Sequence, residues 1–340
     1  MKQMSRRERV LAAVNRQPVD RVPYAVWRHF PSVDHSSAGL AQATLRFHER
    51  YGSDFLKITP RGGYAVEAWG CVEGDAVRED GHRPCASCAV RSGEDWKKIR
   101  VLDPAAAPGY ADEIETIIRL GFDRRIGDAP VVPTLFSPLS LAKKLSGDRL
   151  QHDLRDHPAA VTGALEAITE TLIKFAQLAL TEGVSGIFYS IQAASRTVNS
   201  EEDYARFGEP YDRQFLDAIE SKSTLTIIHC HGDGLMFDRL ARLPGHAWNW
   251  DDRATPPSLR DGAAKVPGAV IGGLHQWKTL RDGTAEQAVG ETRDAVAQTD
   301  GTGLIIGPGC VLPMNTPDAN VAAVVQALGG PLKKIPGVTS

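Results

Sequence analysis

The feature that most constrains this chain is a recurrence of short apolar runs separated by helical stretches. The runs are Val22–Trp27, Asp54–Ile58, Pro130–Phe136, Val184–Ile191, Leu225–Cys230, Ala247–Trp250, Ala269–Leu274 and Gly303–Ile306. They are apolar on nearly every residue and rich in Val and Ile, the pattern of parallel strands buried on both faces. Between them, Val161, Leu165, Ile168, Leu172 and Phe175 recur at spacings of three and four, a stripe that packs one helix face onto a sheet. Val321, Val324, Val325 and Leu328 do the same in the last helix. Ser200 with Asp203 predicts a helix N-cap. Thr255-Pro256 and Thr316-Pro317 predict helices with proline at the first position.

Strands alternating with helices in this way predict an α/β fold, a (β/α)8 TIM barrel formed by residues 1–340 as a single catalytic domain. A doubly wound sheet is the rival, but no GxGxxG or Walker-type glycine pattern supports it. Gly307-Pro308-Gly309 lacks the third glycine at that spacing. The start, MKQMSRRERVLAAVNRQP, reads as a short amphipathic N-terminal helix without the apolar core of a signal peptide. Residues 68–100 read as a hairpin-like insertion, and Pro331–Ser340 as a loosely held tail.

Composition narrows the function classes. A chain of 340 residues with 42% hydrophobic content can bury a large core without disulfides. A net charge of -3 argues against nucleic acid or an anionic membrane as partner. No apolar stretch approaches the roughly 18 residues that cross a bilayer, so a cytoplasmic location is expected. Five cysteines, an odd count, point to free thiols or metal ligands.

In such a barrel the functional side chains gather at the C-terminal ends of the strands. His229-Cys230-His231 ends the fifth run, and Cys310 follows the eighth. The two-residue period of a strand turns His229 and His231 to one side and Cys230 to the other. Gly307-Pro308-Gly309 allows a sharp turn that brings Cys310 across the mouth. Two imidazoles and a thiolate suit Zn²⁺ and leave a position open for water or substrate. The plainer reading is a pair of polar histidines beside a buried cysteine. Spacing alone does not choose between them; a place at the catalytic rim favours the metal.

Other rim positions carry candidate roles. Arg28 and His29 end the first run, Tyr189 lies in the fourth, and His275 follows the seventh; these are the catalytic candidates, histidines for proton transfer and arginine for a carboxylate. Trp27, Phe30, Arg61, Tyr64, Phe136, Gln192 and Asn249 are the substrate-binding candidates, their aromatic members forming an apolar wall for a compact or aromatic substrate. Each has a plainer reading as a rim ion pair or hydrogen bond. His82, Cys85 and Cys88 form H-x2-C-x2-C without a second ligand pair, and read as partly packed thiols away from the mouth.

The stretches RERVLAAVNRQPVDRVPYAVW, YGSDFLKITP, His229–Asp233 and GPGCVLPMNTPDANVAAVV resemble the uroporphyrinogen decarboxylase-like superfamily over nearly the whole chain. The resemblance implies a TIM barrel and one of two chemistries: metal-free decarboxylation of porphyrinogens, or zinc-dependent methyl transfer serving corrinoid proteins. Two departures bear on the choice. Where the decarboxylases carry Arg-Gln-Ala-Gly-Arg-Tyr, this chain has Trp27-Arg28-His29-Phe30-Pro31-Ser32, with one arginine. The methyltransferases carry His-x-Cys and a distant Cys; here His229 and Cys310 match, and His231 stands where the middle cysteine is expected. Two imidazoles and one thiolate leave Zn²⁺ with a formal charge of about +1, a stronger Lewis acid than a neutral site with two thiolates.

The resemblance thus implies a zinc methyltransferase or demethylase acting on a small aromatic or carboxylated molecule. Its methyl partner would be a corrinoid protein, a thiol or tetrahydrofolate. The chain has no D-x-H-x-x-G corrinoid motif, so cobalamin would come on a separate protein. A homodimer is compatible with this reading. The alternatives are a decarboxylase (a carboxy-lyase) of a small carboxylated substrate, and a metal-dependent binding protein without turnover.

Overall fold

The computed structural model describes residues 3–333; the expected loose tail therefore lies largely outside the described residues. Ser5 caps the first helix, Arg6–Val14, its hydroxyl accepting from the Glu8 amide while the Glu8 carboxylate accepts from the Ser5 amide. The strands are β1 (Leu56–Ile58), β2 (Val72–Glu73), β3 (Cys85–Ser87), β4 (Val131–Phe136), β5 (Phe188–Ile191), β6 (Ile227–Cys230), β7 (Ala247–Asn249), β8 (Ala269–Leu274) and β9 (Leu304–Pro308). Seven of them form one curled parallel sheet in the order β1-β4-β5-β6-β7-β8-β9, with helices on its outer side. β2 and β3 pair antiparallel, so the insertion at 68–100 contains one short hairpin.

The first expected strand, Val22–Trp27, is not a full strand. Only Tyr24 bridges, in parallel, to Ile306. Pro23 has no amide to donate. The Tyr24 amide goes to the Asp54 carboxylate and the Val26 amide to the Ser53 hydroxyl, so side chains have taken the ladder donors. The segment nevertheless lies between β9 and β1: the Ala25 amide donates to the Ile306 carbonyl, the Ile306 amide to Pro23, and the Asp54 amide to Tyr24.

Strand alternation divides the core in two. Trp27, Phe55, Val132, Phe188, Ile227, Ala247, Ile271 and Ile305 pack with one another on the inner face, joined by Val10, Ala13 and Val14 from the first helix. Leu56, Ile58, Leu135, Tyr189, Ile191 and Ile228 face outward onto the helices. There the helix Pro158–Thr181 presents the expected Val161, Leu165, Ile168, Leu172 and Phe175, all buried. Ser200 caps the helix Glu201–Phe207 as expected. Two helix starts fall later than the sequence predicts. Pro257 bars Pro256 from the helical region, so that helix begins at Leu259 with Ser258 as its cap. Pro317 stays extended, and the last helix begins at Asp318.

One buried carboxylate ties the chain start to the sheet. Asp54 is fully buried and accepts from Arg9 Nη1 at 2.7 Å, from Arg21 Nη1 and Nη2 at 2.8 and 2.9 Å, and from the Tyr24 amide at 2.9 Å. Arg9 also pairs with Asp20, whose carboxyl it holds well below the usual range. This network sets the path of residues 21–25, and with it the positions of Trp27 and His29. Removing one member of a buried ion network leaves the others dehydrated and unpaired. Asp54→Ala should therefore cost about 3–5 kcal/mol, read as a lower urea midpoint with an unchanged slope. A loss under about 1 kcal/mol would mean that the two arginines regain water without disturbing the fold.

Candidate active site

His229 sits in β6, and His231 follows that strand, held by its amide to the Ile191 carbonyl at 3.1 Å. The two rings turn to the inner face, 5.6 Å apart between centroids. Cys230, between them, is buried in the outer apolar layer, where dehydration pushes its thiol well up. Across the mouth, β9 ends in Pro308, and Gly309 packs so tightly on the Asp251 backbone that a Cβ there would lie 2.4 Å from its Cα. Only glycine permits that approach, and it delivers Cys310. The Cys310 Sγ stands 3.9 Å from His229 Nε2 and 3.7 Å from His231 Nδ1. All three donor atoms lie within 4.8 Å of one another, the one such group among the described residues.

The strand register orients the first of these donors. β6 and β7 pair His229 with Asn249. Asn249 is fully buried, and its Nδ2 donates to the carbonyls of Ile271 and Pro308 at 3.0 and 3.1 Å. Its Oδ1 is therefore left to accept, and it faces His229 Nδ1 at 2.6 Å. The proton of His229 is thereby placed on Nδ1, leaving the Nε2 lone pair aimed at Cys310. Burial alone would push the Cys310 thiol up, but with protons on the imidazole nitrogens that face the sulfur, hydrogen bonds and charge from His229 and His231 outweigh it and hold the thiol well below its usual value; a bound cation would take the place of the proton at His229 Nε2. A thiolate facing two imidazole nitrogens in a buried corner is a donor set that fits Zn²⁺.

These residues form one wall of a cavity of about 460 Å³. Of the other sequence candidates, Trp27, His29, Phe136 and Gln192 also line it. Burial pushes the His29 imidazole down to about 3, so it is neutral near pH 7, and its Nδ1 has no partner among the described residues.

The remaining candidates are elsewhere, chiefly for reasons of alternation. Arg28 points opposite to Trp27 and His29 and donates to the Met314 carbonyl at 3.0 Å. Phe30 packs edge-on against Phe47. Tyr189 lies between inward Phe188 and Ser190, so it faces out, donating to Asp212 at 2.7 Å and stacking on Phe215. Tyr64 is a core residue whose hydroxyl donates to the Thr134 carbonyl at 2.6 Å. Arg61 pairs with Glu67 and Glu73. His275 caps the helical turns Gln276–Arg281, its Nδ1 accepting from two amides, and Asn249 lies behind His229 rather than on the cavity wall.

Sequence reasoning missed Lys57, Lys144 and Phe188, which line the cavity, and His82, which was read only with the cysteines. A lysine inside the apolar run DFLKI was the available signal, because charged residues are rarely buried without a task. Cys85 lies nearer the mouth than expected, on an adjoining cavity that shares Gly62, His82 and Lys144 with the first.

The family model described as uroporphyrinogen decarboxylase (URO-D) matches residues 5–330. The chain is 23% identical to the methylcobamide:CoM methyltransferase MtbA of Methanosarcina acetivorans, covering 96% of this chain and 98% of that protein. It is 26% identical to a uroporphyrinogen decarboxylase of Anaeromyxobacter dehalogenans, covering 94% and 97%. Among solved structures, a methyltransferase from Methanosarcina mazei superposes with a TM-score of 0.84 over 96% of this chain and 99% of that one, at 19% identity.

The Asn249 bridge yields a test that needs no substrate. Loss of an outer hydrogen bond to a metal-binding histidine typically weakens affinity about 10–100-fold. Asn249→Ala should lower zinc affinity by that factor in a chelator competition while the circular dichroism spectrum stays that of the wild type. Unchanged affinity would show that His229 is oriented without it.

Proposed function

The chain belongs to the uroporphyrinogen decarboxylase family, and from that premise we propose that it lies on the family's methyltransferase side, as a zinc-dependent methyltransferase working on a small molecule in the cavity at the strand ends. The observation that carries this reading is the convergence of His229 Nε2, His231 Nδ1 and Cys310 Sγ on one point of the cavity wall. Bound there, zinc would supply Lewis acidity toward the heteroatom that gains or loses the methyl group.

The chain's own residues supply the rest. Asn249 holds the His229 ring and its tautomer. Trp27, Phe136 and Phe188 give the cavity apolar walls that exclude water from the reacting atoms. His29 lines the cavity as a neutral imidazole, a hydrogen-bonding group for the substrate in this reading. The methyl partner in this reading is a corrinoid protein, because relatives named for methylcobamide align over nearly their whole length. Free thiol and tetrahydrofolate are the other carriers to be tried. The reading includes a closed (β/α)8 barrel, with residues 23–25 bridging β9 and β1, and a single catalytic domain. A cytoplasmic location and a homodimer belong to the same proposal; no helix among the described residues is long and apolar enough to cross a membrane.

Two measurements test it. Purified wild type and the double variant Cys85→Ser/Cys88→Ser should both carry stoichiometric zinc, and Cys310→Ala should lose it; equal metal in all three would remove the site. Methylated aromatic and carboxylated compounds should then pass a labelled methyl group to a corrinoid protein, a thiol or tetrahydrofolate. Release of labelled CO2 from a carboxylated compound, with every methyl group left in place, would make the enzyme a decarboxylase instead.

A further inference from the structure

Lys57, Arg78, Lys143 and Lys144 line the cavity; Lys143 is paired with Asp148, and the methyl-transfer reading leaves the ammonium groups of Lys57 and Lys144 unused. Phe55, Lys57 and Thr59 alternate to the inner face of β1 and its continuation, and the buried Lys57 Nζ donates to Thr59 Oγ1 at 3.1 Å. It lies 4.5 Å from the Phe188 ring centroid and 5.9 Å from that of Trp27. Lys144, half-buried on a neighbouring helix, holds its Nζ 4.4 Å from the Phe136 ring centroid. Neither has a carboxylate partner among the described residues, where lysine ion pairs are made by Lys97, Lys98, Lys143, Lys174 and Lys265. The carboxylate lining the cavity is Asp80, and its Oδ1 already accepts from the His82 amide.

Acidic groups act on both from a distance, Cys310 and Glu113 on Lys57 and Glu73 on Lys144, but no carboxylate among the described residues pairs with either, and a dehydrated ammonium group without a paired counter-charge is costly. Aromatic faces offset only part of that cost. Burial accordingly pushes Lys57 down to about 7 and Lys144 down to about 8. A fold that keeps two such groups in one cavity beside a soft donor trio is built for a ligand that brings the missing charge.

We infer that Lys57 and Lys144 form an oxyanion seat, and that the substrate is a small, flat-bodied carboxylate whose acid group lies at these lysines while its methyl-bearing end faces His229, His231 and Cys310. The flat body follows from the walls: Trp27, Phe136 and Phe188 line the same cavity as the lysines and the donor trio. Arg28 and Arg61, the arginines that the sequence offers for a carboxylate, are committed elsewhere. The inference rests on the proposed function for the role of the second end only; the seat itself is a property of the cavity.

The test uses zinc-loaded protein and four probes of one shape: benzoate, benzenesulfonate and phenyl phosphate against neutral benzamide. At least one anion should raise the melting temperature by a few degrees more than benzamide. Their order distinguishes a carboxylate seat from one for sulfonate or phosphate. Lys57→Met and Lys144→Met should each erase the difference between acid and amide while zinc stays bound. Without ligand, Lys57→Met should melt above the wild type, because an unpaired buried charge is gone. Benzamide matching all three anions, a preference that survives in both variants, or a ligand-free Lys57→Met that melts lower would overturn the inference. No readout involves methyl transfer. An anion preference without methyl transfer would leave the seat standing and remove the proposed function; methyl transfer from neutral compounds alone would do the reverse.

Discussion

A strand buried on both faces can send only every second side chain inward, and the site depends on that constraint. In β6 and the residue after it, this puts His229 and His231 on the cavity side and Cys230 in the layer beneath the helices. The parallel register then sets Asn249 beside His229, and the carbonyls of Ile271 and Pro308 leave its amide group one orientation. The result is an imidazole whose proton, lone pair and ring plane are all set by neighbouring backbone. Such a group is organised before any ligand arrives.

The electrostatics of the cavity divide along the same lines. Hydrogen bonds and charge from His229 and His231 hold the Cys310 thiol well below its usual value. In the same cavity, burial pushes Lys57, Lys144, His29 and His82 toward the neutral form; the two lysines push His29 further and Lys144 also pushes His82, while Cys310 and Glu113 partly restore the charge of Lys57 and Glu73 that of Lys144. A cavity that buries ionisable groups without ion-pair partners is costly to fold. The cost is borne elsewhere, by the two apolar layers and by the buried Asp54 network that holds the chain start against β1. The same network places Trp27 and His29 on the cavity wall.

Much of this was legible in the residues. The apolar runs mark seven strands of the sheet, and the helical stripe from Val161 to Phe175 is buried as its spacing implies. The His-x-His pattern and the cysteine after Gly307-Pro308-Gly309 converge because two-residue periodicity and one tight turn are local properties. The rim candidates fared unevenly. A position at a strand end states the level along the axis, but a shift of one residue reverses the face. Trp27 and His29 point in while Arg28 points out; Phe188 and Ser190 point in while Tyr189 points out. The first run also looked like a full strand, although Pro23 and the acceptors Asp54 and Ser53 divert its ladder.

The sequence by itself determined the alternating layers, the family, and the donor types available at the mouth, because these follow from periodicity and from residue chemistry along a continuous stretch. Only the tertiary structure decided that Asn249 orients His229, that His275 is a helix cap, and that two lysines line the same aromatic cavity as the donor trio. Those outcomes join residues far apart in the chain: Lys57 meets Phe188, and Cys310 meets His229. Sheet register and curvature bring such pairs within a few ångströms, and neither is written in the spacing of residues along one strand.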